Sequence, residues 1–347
     1  MFPSDKGGNL IKTMDVANKK VLVTGGSGFV GSHLCERLVS LGADVVILDN
    51  FSTGKLENIK AIQNQIQVYE GQVEDFDSVN KATSGCDYVF HLAYPYGVQG
   101  RGLKQQYVED GVVGTFNVLK SAVENKVNTV INVSSVAAYG LCENTLLSEQ
   151  QIGIPFLPYG VTKLSGELYC KAFSKMYGLK TASLRYFYVF GERYATFDHS
   201  ALVKFMECVV NGSAITIFGD GTQIRDYTYI SDVVDGTLAS LDCPNLDGNV
   251  YNIGKGYGHT ILQLAQSVIQ CSGVETEVEF NSGEQRYADE YCKIPSGLTR
   301  KLNGHWVDDR NYVADISKAS KHIGYQPKIE LHDGINKTLN WMEKQKK

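Results

Sequence analysis

Short apolar runs alternate with polar or amphipathic stretches through the first half of the chain. Val21-Leu22-Val23, Val45-Val46-Ile47-Leu48, the runs from Ile66 to Tyr69 and from Tyr88 to Leu92, Val130 to Val133, and Ala182 to Tyr186 have the length and composition of buried strands. Between the first two, Ser32 to Leu41 continues with helical periodicity. The repetition predicts an α/β fold, a doubly wound (Rossmann) parallel sheet with helices on both faces. Past Tyr188 the pattern loosens into short strands, loops and helices, which predicts a smaller α/β C-terminal lobe over the sheet. The expected division is a flexible tail over 1–18, a sheet domain over 19–187 plus about 228–255, and a substrate-binding lobe over 188–227 plus 256–347. Within the lobe, Thr260-Ile-Leu-Gln263 reads as a capping box opening a helix through Gln270.

The first strand runs into Thr24-Gly-Gly-Ser-Gly-Phe-Val-Gly-Ser32, with Gly25, Gly28 and Gly31 at three-residue intervals. Glycine suits the turn because the backbone folds back sharply and approaches phosphate oxygens there, and suits the helix–strand contact because a side chain would hold the two apart. The helix N-terminus offers free N–H groups to an anion. The second strand ends in Asp49, about 20 residues on, where a carboxylate binds a ribose diol and repels the extra phosphate of NADP. NAD is therefore the expected cofactor. Ligands of such sheets bind beyond the carboxyl ends of the strands, where the glycine turn, Asp49, Ala93 and Ser135 all stand.

Tyr159 and Lys163 lie four apart near the start of a predicted helix running to Tyr177, so both emerge on one face. A phenol is a poor base near neutral pH unless a cation stabilises the phenolate, and the Lys163 ammonium is placed to do so. Ser135, ending the fifth strand, is placed to hydrogen-bond the same substrate hydroxyl. His91 and His33 read as hydrogen-bonded structural residues.

Composition narrows the classes. With 43% hydrophobic and 20% charged residues the chain has material for a large core, and a net charge of −5 argues against nucleic acid as a bulk partner. Without a membrane-length apolar run or a signal-type start, a cytoplasmic protein is expected. The eight cysteines include no C-x-x-C pair or His/Cys cluster, so reduced thiols and no metal site are expected.

With these segments in view, the chain resembles the extended short-chain dehydrogenase/reductases of the NAD-dependent nucleotide-sugar epimerase and dehydratase kind, over about residues 19–345. TGGSGFVG, VVILDNFSTG, DYVFHLA, NVSSVAAYG, YGVTK, LRYFYVFG, ITIFGDGTQIRDYTYISDVV, VYNIG and ADISKASKHIGYQP carry the resemblance. It implies an NAD domain, a lobe gripping a nucleotide diphosphate sugar, and a homodimer through two helices per subunit. Ser135, Tyr159 and Lys163 match the catalytic positions. The implied cofactor contacts begin with Gly25, Gly28, Phe29, Val30 and Gly31 at the turn, then Asp49, Asn50, Ser52 and Gly54. They continue through Gln72 and Val73, Leu92, Ala93 and Tyr94, Val133, Tyr159 and Lys163, to Tyr186 and Val189. Substrate contacts fall on Tyr94, Ser135, Ala137, Tyr159, Tyr188, Arg225, Trp306 and Arg310. Arg225 matches a phosphate-binding arginine; a pair with Asp226 or Asp232 is its structural alternative.

The departures from the pattern sharpen the expected reaction. Val136 and Ala137 replace the Asp-Glu pair of 4,6-dehydratases, and Ala137 also replaces the glutamate of UDP-glucuronate decarboxylases and the cysteine of fucose synthase-like enzymes. What remains needs only hydride and hydroxyl-proton transfer. The expectation is 4-epimerisation through a transient 4-keto sugar, with a 4-ketosugar reductase or dehydrogenase as the alternative. A redox-sensing dinucleotide binder has no need of the Ser135, Tyr159 and Lys163 set, and the FGDGTQIRDY segment with Asp49 favours a nucleotide sugar over a steroid- or flavonoid-type substrate. Tyr188 and Gly111 stand where asparagines are usual, Tyr94-Pro95-Tyr96-Gly97 replaces small and polar residues, and Gly304 to Asp308 replaces an R-P-G-D segment. An altered sugar, amino, deoxy or keto, is therefore expected. Trp306 is placed either to stack on a ring or to pack, and Arg300 or Arg310 to meet a phosphate.

Overall fold

Seven strands form one parallel sheet: β1 (Lys20–Thr24), β2 (Asp44–Asp49), β3 (Ile66–Glu70), β4 (Tyr88–His91), β5 (Thr129–Ser135), β6 (Lys180–Tyr186) and β7 (Asp247–Ile253). Their spatial order is β7-β6-β5-β4-β1-β2-β3, with every neighbouring pair parallel. The computed structural model describes residues 16–94, 105–140, 142, 144–151, 153–155, 157–194, 200–243, 245–281, 299–302, 305–308 and 311–346. The six runs read from the sequence are the first six strands. The order reverses between β1 and β4, which opens a crevice at their carboxyl ends.

Alternate residues of each strand feed two cores. Val21, Val23, Val45, Ile47, Phe90 and Ile131 pack on one face with Leu34 and Leu38 of α1 (Phe29–Ser40). Leu22, Val46, Leu48, Val89 and Val130 pack on the other face with three helices, α2 (Phe76–Thr83), α3 (Thr115–Glu124) and α4 (Pro158–Tyr177). Because both faces are covered, these strands read as continuous apolar runs rather than as alternation. The first core extends into the C-terminal half through α5 (Ala201–Asn211), α6 (Ile230–Ala239) and α7 (Ile261–Ser272). The predicted capping box is present: Thr260 Oγ1 accepts from Gln263 N and Gln263 Oε1 accepts from Thr260 N.

Two buried carboxylates fix the remainder. Asp226, fully buried, accepts hydrogen bonds from Lys255 N (2.7 Å), Gly256 N (3.0 Å), Ala314 N (3.0 Å) and Thr228 Oγ1 (3.3 Å). It ties together three segments distant in sequence. Burial raises its carboxyl to about 6, against the pull of those donors.

Glu167 of α4 forms a fork with Arg185 of β6, Nε to Oε1 at 2.8 Å and Nη2 to Oε2 at 2.7 Å, both side chains buried. Ser134 Oγ donates to the same Oε1 at 2.5 Å. The guanidinium also lies 4.2 Å from the Tyr139 ring centroid, so its remaining Nη1 faces an aromatic surface. Pro158 at the first turn and left-handed Gly178 (φ 68°) at the end delimit the helix these contacts hold.

Glu167→Gln leaves the Arg185 charge uncompensated in the interior, and is expected to cost about 3–5 kcal/mol in urea unfolding. Glu167→Met combined with Arg185→Met removes both charges and is expected to recover most of that loss; equal destabilisation by the single and double variants would contradict the assignment.

Candidate active site

The crevice holds a cavity of about 740 Å³ running from the glycine turn past the ends of β4 and β5 to the lobe. At its first end, Gly25 sits at φ 70°, and a Cβ there would come 2.9 Å from Ala93 N. At Gly31 a Cβ would come 2.1 Å from Gly25 O, so only glycine lets α1 start against β1. Gly28 caps α1 without a side-chain acceptor, which leaves first-turn N–H groups directed at the cavity. Asp49, buried, accepts from Ser27 N and Phe51 N, both at 2.9 Å, and its oxygens keep acceptor capacity for two hydroxyls. A carboxylate and a glycine cradle in this arrangement fit a dinucleotide with a free ribose diol.

Most residues named from the sequence line this one cavity. Phe29, Val30, Asn50, Ser52 and Gly54 stand at the cradle end, and Val73, Leu92, Ala93, Val133, Tyr186 and Val189 along the walls. Ser135, Ala137, Tyr159, Lys163 and Tyr94 meet in the middle, and Tyr188 and Arg225 stand toward the lobe. Gln72 is exposed on the turn after β3, between Gly71 and Val73, which line the cavity. Pro95, Tyr96, Gly97 and Arg310 lie outside the described residues, as do the side chains of Arg300 and Trp306. The backbone of Trp306 belongs to a strand, His305–Asp308, paired antiparallel with Thr299–Leu302.

The Tyr159 phenol stands beside Ser135, whose Oγ accepts from Ala137 N at 3.2 Å. Lys163 Nζ donates to Val133 O at 2.8 Å and lies 5.9 Å from the Tyr159 ring centroid. The titration of these groups differs from the simple expectation of a cation-acidified phenol. Burial pushes the Tyr159 phenol above its ordinary value, with only the Ser135 hydrogen bond opposing. Burial also pulls the Lys163 ammonium down to about 7, with the Glu167 carboxylate opposing. Desolvation outweighs mutual stabilisation because the lysine's direct partner is a carbonyl, not the phenol oxygen.

His91 is part of the framework, as expected. Thr115 Oγ1 donates to Gly111 O (2.7 Å), so it accepts from His91 Nε2–H (3.1 Å), and His91 Nδ1 accepts from Thr24 Oγ1 (2.8 Å). Thr24 Oγ1 in turn accepts from Leu92 N and Ala93 N. Burial holds the ring neutral, at about 3. His33 bonds Glu192 O at 2.9 Å.

At the lobe end, buried Arg225 lies between the Tyr188 and Tyr312 rings, 5.6 and 5.9 Å from their centroids, and donates to Ile224 O. Four donors meet the Asp226 carboxylate, and Asp232 accepts from Ile329 N. Several lining residues were not singled out in the sequence: Ser134, Lys204, Thr216, Gln223 and Asp110. Lys204 had a signal, a single cation in the apolar run Leu202-Val203-Lys204-Phe205-Met206. Asp110 had none; burial, then the neighbouring Glu74 carboxylate, raises it to about 7. Among the described residues no group of three or more His, Cys, Asp or Glu is placed to hold a metal, and no helix is long and apolar enough to cross a membrane.

A doubly wound parallel sheet whose crevice holds a glycine turn, a buried carboxylate at the end of its second strand and a Ser/Tyr/Lys cluster defines a dinucleotide-dependent enzyme of the extended short-chain dehydrogenase/reductase class. The chain belongs to the NAD dependent epimerase/dehydratase family, matched over residues 21–254. It is 31% identical over 329 residues to a putative UDP-glucose 4-epimerase of Methanocaldococcus jannaschii, covering 93% of this chain and 98% of that one. Among solved structures, the UDP-glucose 4-epimerase of Thermotoga maritima with UDP-glucose superposes with a TM-score of 0.81 at 31% identity, covering 94% of this chain and 100% of that chain. The UDP-glucuronic acid 4-epimerase of Bacillus cereus, in complex with UDP-glucuronic acid and NAD, gives 0.80 at 32% identity, covering 94% and 99%.

The depressed Lys163 gives a signed prediction. Between about pH 7 and 10.5 an unfolded lysine holds a proton that the folded one has lost, so this group's contribution to stability rises with pH across that window. Lys163→Met abolishes the rise. Urea unfolding is therefore expected to show wild type gaining on the variant from pH 7 to pH 9.5; a pH-independent difference would refute the depression.

Proposed function

We propose that the protein is an NAD-dependent nucleotide-sugar 4-epimerase working through a transient 4-keto sugar. The observation that carries this reading is the middle of the cavity, where a phenol, a serine hydroxyl and a lysine line one space, with only Val136 and Ala137 where further acid–base groups would be needed. Asp49 and the glycine cradle hold NAD at one end. Arg225 and Lys204 face the nucleotide diphosphate at the other. When bound, NAD supplies the chemistry of taking hydride from the sugar carbon and giving it back.

The residues handle the proton. Ser135 Oγ orients the sugar 4-hydroxyl, and Tyr159 Oη accepts its proton as the carbonyl forms. Lys163 contributes positive charge next to that oxygen, and the positive charge of the oxidised nicotinamide adds to it. Together they offset the burial that raises the phenol. The keto sugar turns over, and the same Tyr159 Oη returns the proton. Methyl and isopropyl side chains at 137 and 136 leave the neighbouring carbons without a proton donor or acceptor, which supports epimerisation over elimination or decarboxylation.

The same reading supports a homodimer. Val161, Leu168 and Met176 on α4 are 50%, 60% and 72% exposed, and Val113 and Phe116 on and just before the adjacent α3 are 41% and 40% exposed. An apolar strip across two neighbouring helices suits burial against its own copy.

Incubating the protein with UDP-, GDP-, CDP- and dTDP-sugars, followed by mass spectrometry and NMR, tests the reaction. An isobaric 4-epimer is expected; loss of water or carbon dioxide, or a net change of two hydrogens needing external cofactor, would overturn it. Tyr159→Phe is expected to lower kcat by about 10²–10⁴-fold while retaining NAD binding. Leu168→Glu is expected to convert the dimer to a monomer in light scattering, and a wild-type monomer would remove the dimer from the proposal.

A further inference from the structure

Tyr94 makes three contacts with one turn of α4. Thr162 Oγ1 donates to Tyr159 O at 2.9 Å, so Tyr94 Oη is the donor in its 3.1 Å hydrogen bond to Thr162 Oγ1. Its ring face lies 4.4 Å from Lys163 Nζ, nearer than the Tyr159 ring at 5.9 Å. The Tyr94 and Tyr159 rings meet edge to face at a centroid distance of 4.9 Å and 64°. The ring occupies this place because residue 111 has no side chain. A Cβ on Gly111 would come 2.9 Å from Thr162 Cβ and 3.0 Å from Tyr94 Cε2. Gly111 lies in the π-turn Glu109–Gly114, whose extra residue presents the backbone there.

We propose that Tyr94, admitted by Gly111, is a positioning residue that favours the charged form of Lys163 and fixes its amine between an aromatic face and the Val133 carbonyl. A desolvated ammonium needs compensation from every side. The Val133 carbonyl provides it on one, the Glu167 carboxylate one turn along on another, and the Tyr94 π-face on the cavity side. The ring also covers the lysine on the cavity side and, through its contact with the Tyr159 ring, limits rotation of the phenol that exchanges the proton. Tyr94 thereby acts on the reaction through Lys163 and Tyr159 rather than by touching the reacting atoms. The proposal rests on the epimerase reading for its kinetic consequence and on geometry alone for the pairing of residues 94 and 111.

The titratable groups facing the lysine and the ring are Glu167 and Tyr159 on α4, His91 on β4, and Tyr107 and Asp110 on the segment packed against Tyr94. His91 stays neutral above about pH 3, so it does not contribute to a profile above pH 6. Asp110 titrates at about 7, so the profile is measured in an Asp110→Asn background as well.

Tyr94→Leu removes the π-face and the hydroxyl while keeping an apolar side chain. We expect kcat to fall about tenfold, within the range of a desolvated cation–π contact, with KM for the nucleotide sugar changed less than threefold. The limb of the kcat profile that reports Lys163 is expected to shift to lower pH, in both the wild-type and the Asp110→Asn background. Tyr94→Phe, which keeps the ring, is expected to recover most of the loss. An unchanged profile and kcat in Tyr94→Leu, or a Phe variant as impaired as the Leu variant, would overturn the proposal. Independently of any substrate, Gly111→Ala is expected to lower the urea midpoint in wild type and to lower it less in the Tyr94→Leu background. Additive effects there would overturn the pairing. A non-additive pair in a protein that transforms no nucleotide sugar would instead leave the pairing intact and sink the epimerase reading.

Discussion

The buried fork between Glu167 and Arg185 is the constraint on which the centre of the molecule depends. It joins α4 to β6 at the level of Ser134, so the helix cannot slide or rotate without stranding a charge in the interior. Lys163 is one turn and Tyr159 two turns from Glu167 on the same helix, which fixes where both side chains reach the cavity. The same carboxylate opposes the loss of charge on Lys163. One ion pair thus sets both the position and the electrostatic state of the residues assigned to proton transfer.

A second constraint is steric. At the glycine turn the sheet and first helix approach closely enough that one methyl group at residue 31 would overlap a carbonyl oxygen. Asp49 is held by two backbone N–H groups from the loops on either side of that approach. The glycine turn and the Asp49 carboxylate are therefore one rigid unit. The lobe end is built differently, with the Tyr188 and Tyr312 rings beside Arg225.

Much of this was legible in the sequence, for physical reasons that differ along the chain. The strands were legible because a sheet covered on both faces produces uninterrupted apolar runs, and the cradle because only glycine satisfies its geometry. The Tyr159–Lys163 spacing gave a helix face directly. Glu167 was not legible, since a glutamate on a helix of mixed polarity reads as solvated surface until Arg185 arrives from a strand 18 residues on. The pairing of Tyr94 with Gly111 was equally hidden, because each residue looks like an isolated departure until the two are seen in one space. The depth at which the phenol is desolvated was not legible, because spacing shows which groups are near and says nothing of burial.

The seventh strand has a consequence for how the chain is made. Asp247–Ile253 pairs with Lys180–Tyr186, yet about sixty residues of the second half intervene. On a ribosome adding about 5–20 residues per second, the apolar edge of Lys180–Tyr186 waits several seconds for its neighbour. During that interval it offers unpaired N–H and carbonyl groups to any other nascent strand. Shielding of that edge by chaperones counts for most over that stretch of synthesis, before the sheet is complete.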